Sequence, residues 1–256
     1  MRPQSLEEAW ELNQKKRNRV VAGMMWLKMG THSFNTAIDL CDLGLDAIEE
    51  TEDEFRIGAM ATLRQIEKHP GLDVYSCGAV KAALRDIVGV QFRNGATLGG
   101  SLWRRMGFSD VVALFLAMGS SVELFKGGVV PLEEFVCMSY DNDILVRLIV
   151  KKRPGAFAYQ AVRKQRTDLP TLNCVAAKVG EEYRVVVGSR PARAMLLRDE
   201  RGILAGGITE ESAAAFADYA AGVVPVSGNM WGSAEYRRAL VPVLVRRTLL
   251  ALGEVR

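Results

Sequence analysis

The stretch that decides the fold is Arg93–Asp110, RNGATLGGSLWRRMGFSD. It leaves a helix-forming segment and crosses a turn punctuated by Gly95, Gly99 and Gly100. It ends at a polar pair, Ser109 and Asp110, that opens a strongly apolar helix. Glycine has no Cβ and tolerates positive φ, so these positions let something bulky approach the main chain. Thr97, Ser101, Ser109 and Asp110 add short hydrogen-bonding side chains at the same place. A tight backbone, outward N–H groups and small hydroxyls together suit a phosphate-bearing ligand. Composition by itself fits equally well with two ordinary loops that cap a helix.

Upstream, Ser5 and Glu8 have capping-box spacing, and LEEAWELNQKK reads as a helix. Arg19–Val21, Ile38–Leu40 and Phe55–Ile57 read as short strands, with the acidic stretch Glu49–Glu54 as a solvated hairpin loop. Apolar residues at helical spacing predict helices over Thr62–Glu67 and about Tyr75–Ile87. Downstream, Asp110 is expected to cap a helix carrying Val111, Leu114, Phe115 and Met118. Ser121–Phe125 and Val129–Val130 form a hairpin across Lys126–Gly128, and Ile144–Val150 is a strand ended by the breaker Lys152–Gly155. Beyond it, strands at Phe157–Val162, Leu172–Val179 and Tyr183–Gly188 precede helices starting near Pro191, Thr209 and Ser233. The chain therefore reads as an α+β protein divided near residue 154, into 1–153 and 154–256.

A chain of 256 residues, 49% hydrophobic and 25% charged, is an ordinary folded protein of one large domain or two smaller ones. A net charge of +3 with dispersed basic residues argues against a nucleic-acid partner. The N-terminus lacks an apolar core for a secretory signal, and the longest apolar run, Val111–Met118, is far too short to span a membrane. A cytoplasmic, reducing location is the expectation. Cys41, Cys77, Cys137 and Cys174 have no close spacing, so no metal site is expected. The two histidines, His32 and His69, offer little to a catalytic triad, and His69 before Pro70 reads as a solvated loop residue. No catalytic residue is assigned.

Gly95–Gly100 is G-x-x-x-G-G, which matches neither the dinucleotide fingerprint nor a P-loop, and no G-x-S-x-G elbow occurs. The chain instead resembles the flavoprotein (medium) subunits of molybdenum hydroxylases, the group containing xanthine dehydrogenase and carbon monoxide dehydrogenase. The resemblance covers nearly the whole length. It rests on Pro3, Ser5, Leu6, Glu7, Glu8 and Ala9, and on Ala96–Ser101 against A-T-[LI]-G-G-[NS]. It rests further on Asp110 nine residues after Ser101, on Arg166–Asn173, and on the segment Ser233–Arg238.

That resemblance implies a PCMH-type, vanillyl-alcohol-oxidase-like FAD domain of two α/β subdomains, with FAD extended between them. A smaller sheet-plus-helices C-terminal domain follows. It implies FAD contacts at Ala22, Gly23, Met24, Met25, Trp26 and Leu27 in a first loop. Thr97, Gly99, Gly100, Ser101 and Asp110 would contact it in a second. The implied partners are a molybdenum-cofactor subunit, a 2Fe-2S subunit and NAD⁺ as acceptor.

Two departures stand out. The family's A-G-G-T-D-L is here Ala22–Leu27, AGMMWL, without the second Gly, the Thr and the Asp. Main-chain amides need no particular side chain to bind diphosphate, and a Met at the second Gly position is expected to take negative φ. Trp26 is open to two readings, a ring-stacking residue or core beside Leu27. Gln160 replaces a Lys that reaches toward the flavin in relatives. The altered loop also motivates a different class of function, a non-catalytic scaffold subunit that has lost flavin. A free-standing flavin oxidase has less in its favour, since no His or Cys motif suits covalent flavin attachment. Tyr236 and Arg237 read as packing and surface pairing.

Overall fold

Three sheets organise the computed structural model, which describes residues 1–31 and 33–255; His32 lies outside the described residues. The chain runs α1 (Leu6–Asn13), β1 (Asn18–Val21), β2 (Thr36–Asp39), β3 (Ile48–Glu50), β4 (Glu54–Gly58), α2 (Leu63–Lys68) and α3 (Pro70–Tyr75). It continues through α4 (Ala79–Leu84), α5 (Val90–Gly95), α6 (Leu98–Trp103), α7 (Asp110–Ala117), β5 (Ser121–Leu124), β6 (Gly128–Pro131), α8 (Leu132–Phe135) and β7 (Leu145–Lys151). Then come β8 (Gly155–Arg163), β9 (Pro170–Val179), β10 (Glu182–Gly188), β11 (Met195–Arg198), α9 (Glu210–Val223) and α10 (Ala234–Gly253).

β1 and β2 pair in parallel, with Val20 opposite Ile38, and α1 covers them through Ala9 and Ile38, both fully buried. The second sheet is antiparallel in the order β3-β4-β7-β5-β6, and the third is antiparallel in the order β11-β10-β9-β8. Helix α7 packs on β9 and β10 of the third sheet and shares the main core with Phe55 and Leu148 of the second. All eight of its residues are buried, as expected of a helix apolar all round.

β9 is buried on both faces for nearly its whole length. Val175, Ala177 and Val179 turn one way and join Phe55, Phe115 and Leu148 in the main core. Cys174 and Ala176 turn the other way and pack with Phe216, Val241 and Leu249 from α9 and α10. The strand period of two thus sends one side of the C-terminal sheet into the core of the first half. Burial pushes the Cys174 thiol up to about 12, so it stays protonated as a small apolar group.

Several expectations change. The helix expected over Tyr75–Ile87 shortens to α4, because Cys77 and Gly78 both take positive φ, 53° and 80°, and separate it from α3, which ends at Tyr75. α1 stops at Asn13, where the Asn18 side chain donates to the Leu12 carbonyl at 2.8 Å. Nothing helical starts at Pro191; Met195–Arg198 instead pairs with the open edge of β10. His69 is a junction, not a free loop residue. Its Nδ1 accepts from the Leu72 amide at 3.2 Å, and its ring meets Phe55 edge-on. Thr209 and Ser233 cap α9 and α10 as expected.

Candidate functional site

The Ala96–Ser101 segment lies flat against Ala59–Leu63. Leu63 donates to Ala96, Leu98 to Ala61, and Gly99 to Ala59, at 2.7–2.9 Å. Thr97 N-caps α6, its hydroxyl accepting from the Gly100 amide at 3.2 Å, and the Ser101 amide and hydroxyl both donate to the Thr97 carbonyl. The expectation that this bend offers free amides therefore fails, since Leu98, Gly99, Gly100 and Ser101 all have protein acceptors. Its glycines serve close packing instead. A Cβ on Gly99 would meet the Ala59 carbonyl oxygen at 2.8 Å. Gly100 remains exposed beside the two hydroxyls.

The first loop behaves differently. Among the described residues, the amides of Gly23, Met24, Met25, Trp26 and Leu27 donate to no main-chain or side-chain acceptor, giving five consecutive free N–H groups. Met24 sits at φ 55°, and Trp26 follows in the right-handed region at φ −99°, ψ −37°. A left-handed residue within a right-handed turn gathers successive N–H groups into an anion-binding concavity. The expectation of a negative φ at Met24 is corrected: the loop keeps the left-handed backbone and Met24 bears the strain.

Gly23 explains why the loop stands where it does. A Cβ there would run into the Gly95 carbonyl, so the two segments touch main chain to main chain. Met25, at the position where the resemblance places Thr, turns inward, and its methyl lies against Gly95. Trp26 is not core. It is 45% exposed and is held by Phe92, with centroids 6.3 Å apart, and by Phe108 at 5.9 Å. Leu27 opens a short 3₁₀ turn through Met29, and Ala22 leaves β1 half-buried.

Asp110 is the first residue of α7 and not its cap. Ser109 caps, accepting from the Val112 amide at 3.2 Å. The Asp110 carboxylate is 4% exposed and engaged on both oxygens. Oδ1 accepts from the Tyr159 hydroxyl at 2.7 Å and Asn173 Nδ2 at 2.6 Å, and Oδ2 accepts from Arg163 Nη2 at 2.8 Å. Burial, with the Asp110 charge adding to it, pushes the Tyr159 phenol well above its usual value, so it stays a donor. At the far end of α7, Arg184 donates to the Leu116 and Ala117 carbonyls at 3.2 and 3.1 Å. A cation at a helix C-terminus is favourable, and both ends of α7 are fixed by the C-terminal sheet.

The structure thus brings the first loop and the 95–101 segment together through Gly23, Gly95 and Met25. Sequence reading missed Phe92 and Phe108, which hold Trp26, and Tyr159, Arg163 and Asn173, which surround Asp110. Of these, Asn173 and Phe108 lay in quoted stretches of sequence; the roles of the others depend on which way α5 and β8 face. Gln160 donates to the Arg247 carbonyl at 3.3 Å. Arg237 is 1% exposed and donates to the carbonyls of Thr171, Ser227 and Gly232, a packing role as expected. Among the described residues no His/Cys/Asp/Glu cluster could hold a metal, and no helix is long and apolar enough to cross a membrane.

A row of unsatisfied amides, a glycine whose Cβ has no room and an exposed aromatic ring fit a dinucleotide with a diphosphate bridge. The comparisons agree. Residues 1–152 match the family model of the FAD binding domain in molybdopterin dehydrogenase, and residues 157–252 match that of the CO dehydrogenase flavoprotein C-terminal domain. The nicotine 6-hydroxylase medium subunit of Paenarthrobacter nicotinovorans is 26% identical, over 98% of this chain and 95% of its own length. A chain of the carbon monoxide dehydrogenase from Hydrogenophaga pseudoflava superposes with TM-score 0.86 at 23% identity, covering 98% of this chain and 95% of that one. A chain of quinoline 2-oxidoreductase from Pseudomonas putida 86 superposes with TM-score 0.86 at 19% identity, over 99% and 95%. The chain belongs to the FAD-binding flavoprotein subunits of the molybdenum hydroxylase family, and its cofactor is FAD.

Proposed function

We propose that this chain is the electron-transfer subunit of a molybdenum hydroxylase complex, which an iron–sulfur subunit reduces and which delivers electrons to NAD⁺. Substrate oxidation belongs in this reading to a molybdenum-cofactor subunit. FAD, when bound, exchanges electrons singly with one partner and in pairs with another.

The observation that carries the reading is the run of five amides at Gly23–Leu27 that donate to no acceptor among the described residues, in a loop packed against Gly95. These amides would hold the diphosphate without help from the side chains the loop has lost. Ala22 would form the approach from β1. The exposed Gly100, with the Thr97 and Ser101 hydroxyls, would face the cofactor from the second segment, and the buried Gly99 would hold that segment down. Asp110 would act at the cofactor's edge from within its bonded cluster. A division into a flavin domain over 1–153 and a C-terminal domain over 154–256, working in the cytoplasm, completes the reading.

The test is purification of the full chain with its partner subunits. Stoichiometric FAD and NAD⁺-dependent reoxidation of the reduced complex are expected. Colourless protein that takes up no added FAD overturns the flavin role, and flavin reoxidised only by other acceptors overturns NAD⁺.

A further inference from the structure

We propose that Trp26 is the adenine platform of the FAD site. The inference deepens the flavin reading and rests on it. Trp26 contributes one of the five free amides, so its side chain stands within one residue's reach of the diphosphate. In FAD a single ribose separates adenine from the phosphates, whereas the isoalloxazine stands off at the end of an extended five-carbon chain. The ring within short reach of the first loop is therefore the purine.

The indole is placed for this role. Phe92 and Phe108 meet it at interplanar angles of 80° and 49°, so neither lies stacked parallel on the indole. The residue stays 45% exposed, on a loop whose Met24 and Met29 are exposed as well, while Phe108 beside it is half-buried. A large aromatic side chain, braced and left uncovered beside an anion-binding turn, is the arrangement on which a base stacks. The indole has no carboxylate to hold a ribose hydroxyl, so selectivity here comes from stacking area.

The experiment uses the full chain stripped of flavin, titrated with FAD, ADP and FMN. ADP carries the adenosine side without the isoalloxazine; FMN carries the reverse. Trp26→Ala is expected to weaken ADP and FAD by roughly tenfold, the scale of one lost base–aromatic stack, and to leave FMN within about twofold. ADP is expected to quench indole emission of the wild type, and Trp26→Phe to keep most of the ADP affinity while losing most of that quenching. This quench reports stacking directly and survives the case in which the alanine variant fails to fold. The inference falls if Trp26→Ala binds ADP like the wild type, if FMN is weakened as much as ADP, or if the quench persists in Trp26→Phe. Wild-type chain that binds none of the three ligands overturns the flavin reading itself, and this inference with it.

Discussion

At the scale of residues, the altered first loop shows which features of a diphosphate cradle are replaceable. Gly23 is not, because the Gly95 carbonyl occupies the space of its Cβ. Met24 does hold a left-handed φ of 55° with a side chain attached, at a cost of roughly 1–2 kcal/mol for an L-residue. Met24→Gly removes that strain, offset in part by the extra freedom of glycine in the unfolded chain. The net expectation is a gain of about 0.5–1 kcal/mol, or roughly 1–4 °C in thermal midpoint for a chain of this size. Calorimetry on the two proteins decides it. An unchanged or lowered midpoint would show that the Met24 side chain makes packing contacts that outweigh the strain.

At the scale of elements, the second segment is positioned by a buried ion pair. Arg93, two residues before Gly95 on α5, donates to Glu67 on α2 through Nε at 2.8 Å, and the two side chains are 5% and 6% exposed. Arg64 adds a second donor at 2.8 Å. Burial alone would raise the Glu67 carboxyl, but the bonds from Arg93 and Arg64 outweigh it and hold the group below its usual value. The depressed value means the pair's stabilisation is complete above the unfolded-chain carboxylate value of about 4.3. It is lost as pH falls through the lower folded-state value. Glu67→Gln is therefore expected to cost about 3 kcal/mol near neutral pH, by leaving Arg93 buried without its anion. Its stability should also decline less steeply than the wild type's below about pH 4. Denaturant titrations across that range measure both effects, and parallel pH curves for the two proteins would refute the assignment.

At the scale of the molecule, the two family matches meet near residue 154, but the packing does not divide there. Phe157, Val175, Ala177, Val179 and Val186 from beyond that point belong to the main core with Phe55 and Phe115. Asp110 is bonded to Tyr159, Arg163 and Asn173 across the same junction. A fragment of residues 154–256 would expose one whole face of β8–β10 to water. At about 25 cal/mol per Å² of apolar surface, five such side chains represent several kcal/mol, comparable with a domain's entire stability. The fragment alone is expected to lack near-ultraviolet circular dichroism and dispersed amide resonances. A well-dispersed spectrum would show that its second core, with α9 and α10, suffices.

Local chemistry was legible from the chain alone: the capping residues Ser5, Thr62, Thr209 and Ser233, the glycine-rich segment after α5, the hairpin at Lys126–Gly128 and the family those motifs resemble. These are short-range effects, set by side chains bonding to amides three residues away or by glycine's freedom at one position. Only the tertiary structure decided which amides stay free. Those of Leu98–Ser101 are taken, two of them by the carbonyls of Ala59 and Ala61 some forty residues away, whereas among the described residues none accepts from Gly23–Leu27. It also decided that Asp110 is bonded within a cluster and that Trp26 is uncovered, since both depend on the facing of β8 and the 104–109 loop. A hydrogen-bond partner distant in sequence leaves no trace in local pattern, so the state of a donor is settled only when the chain has closed on itself.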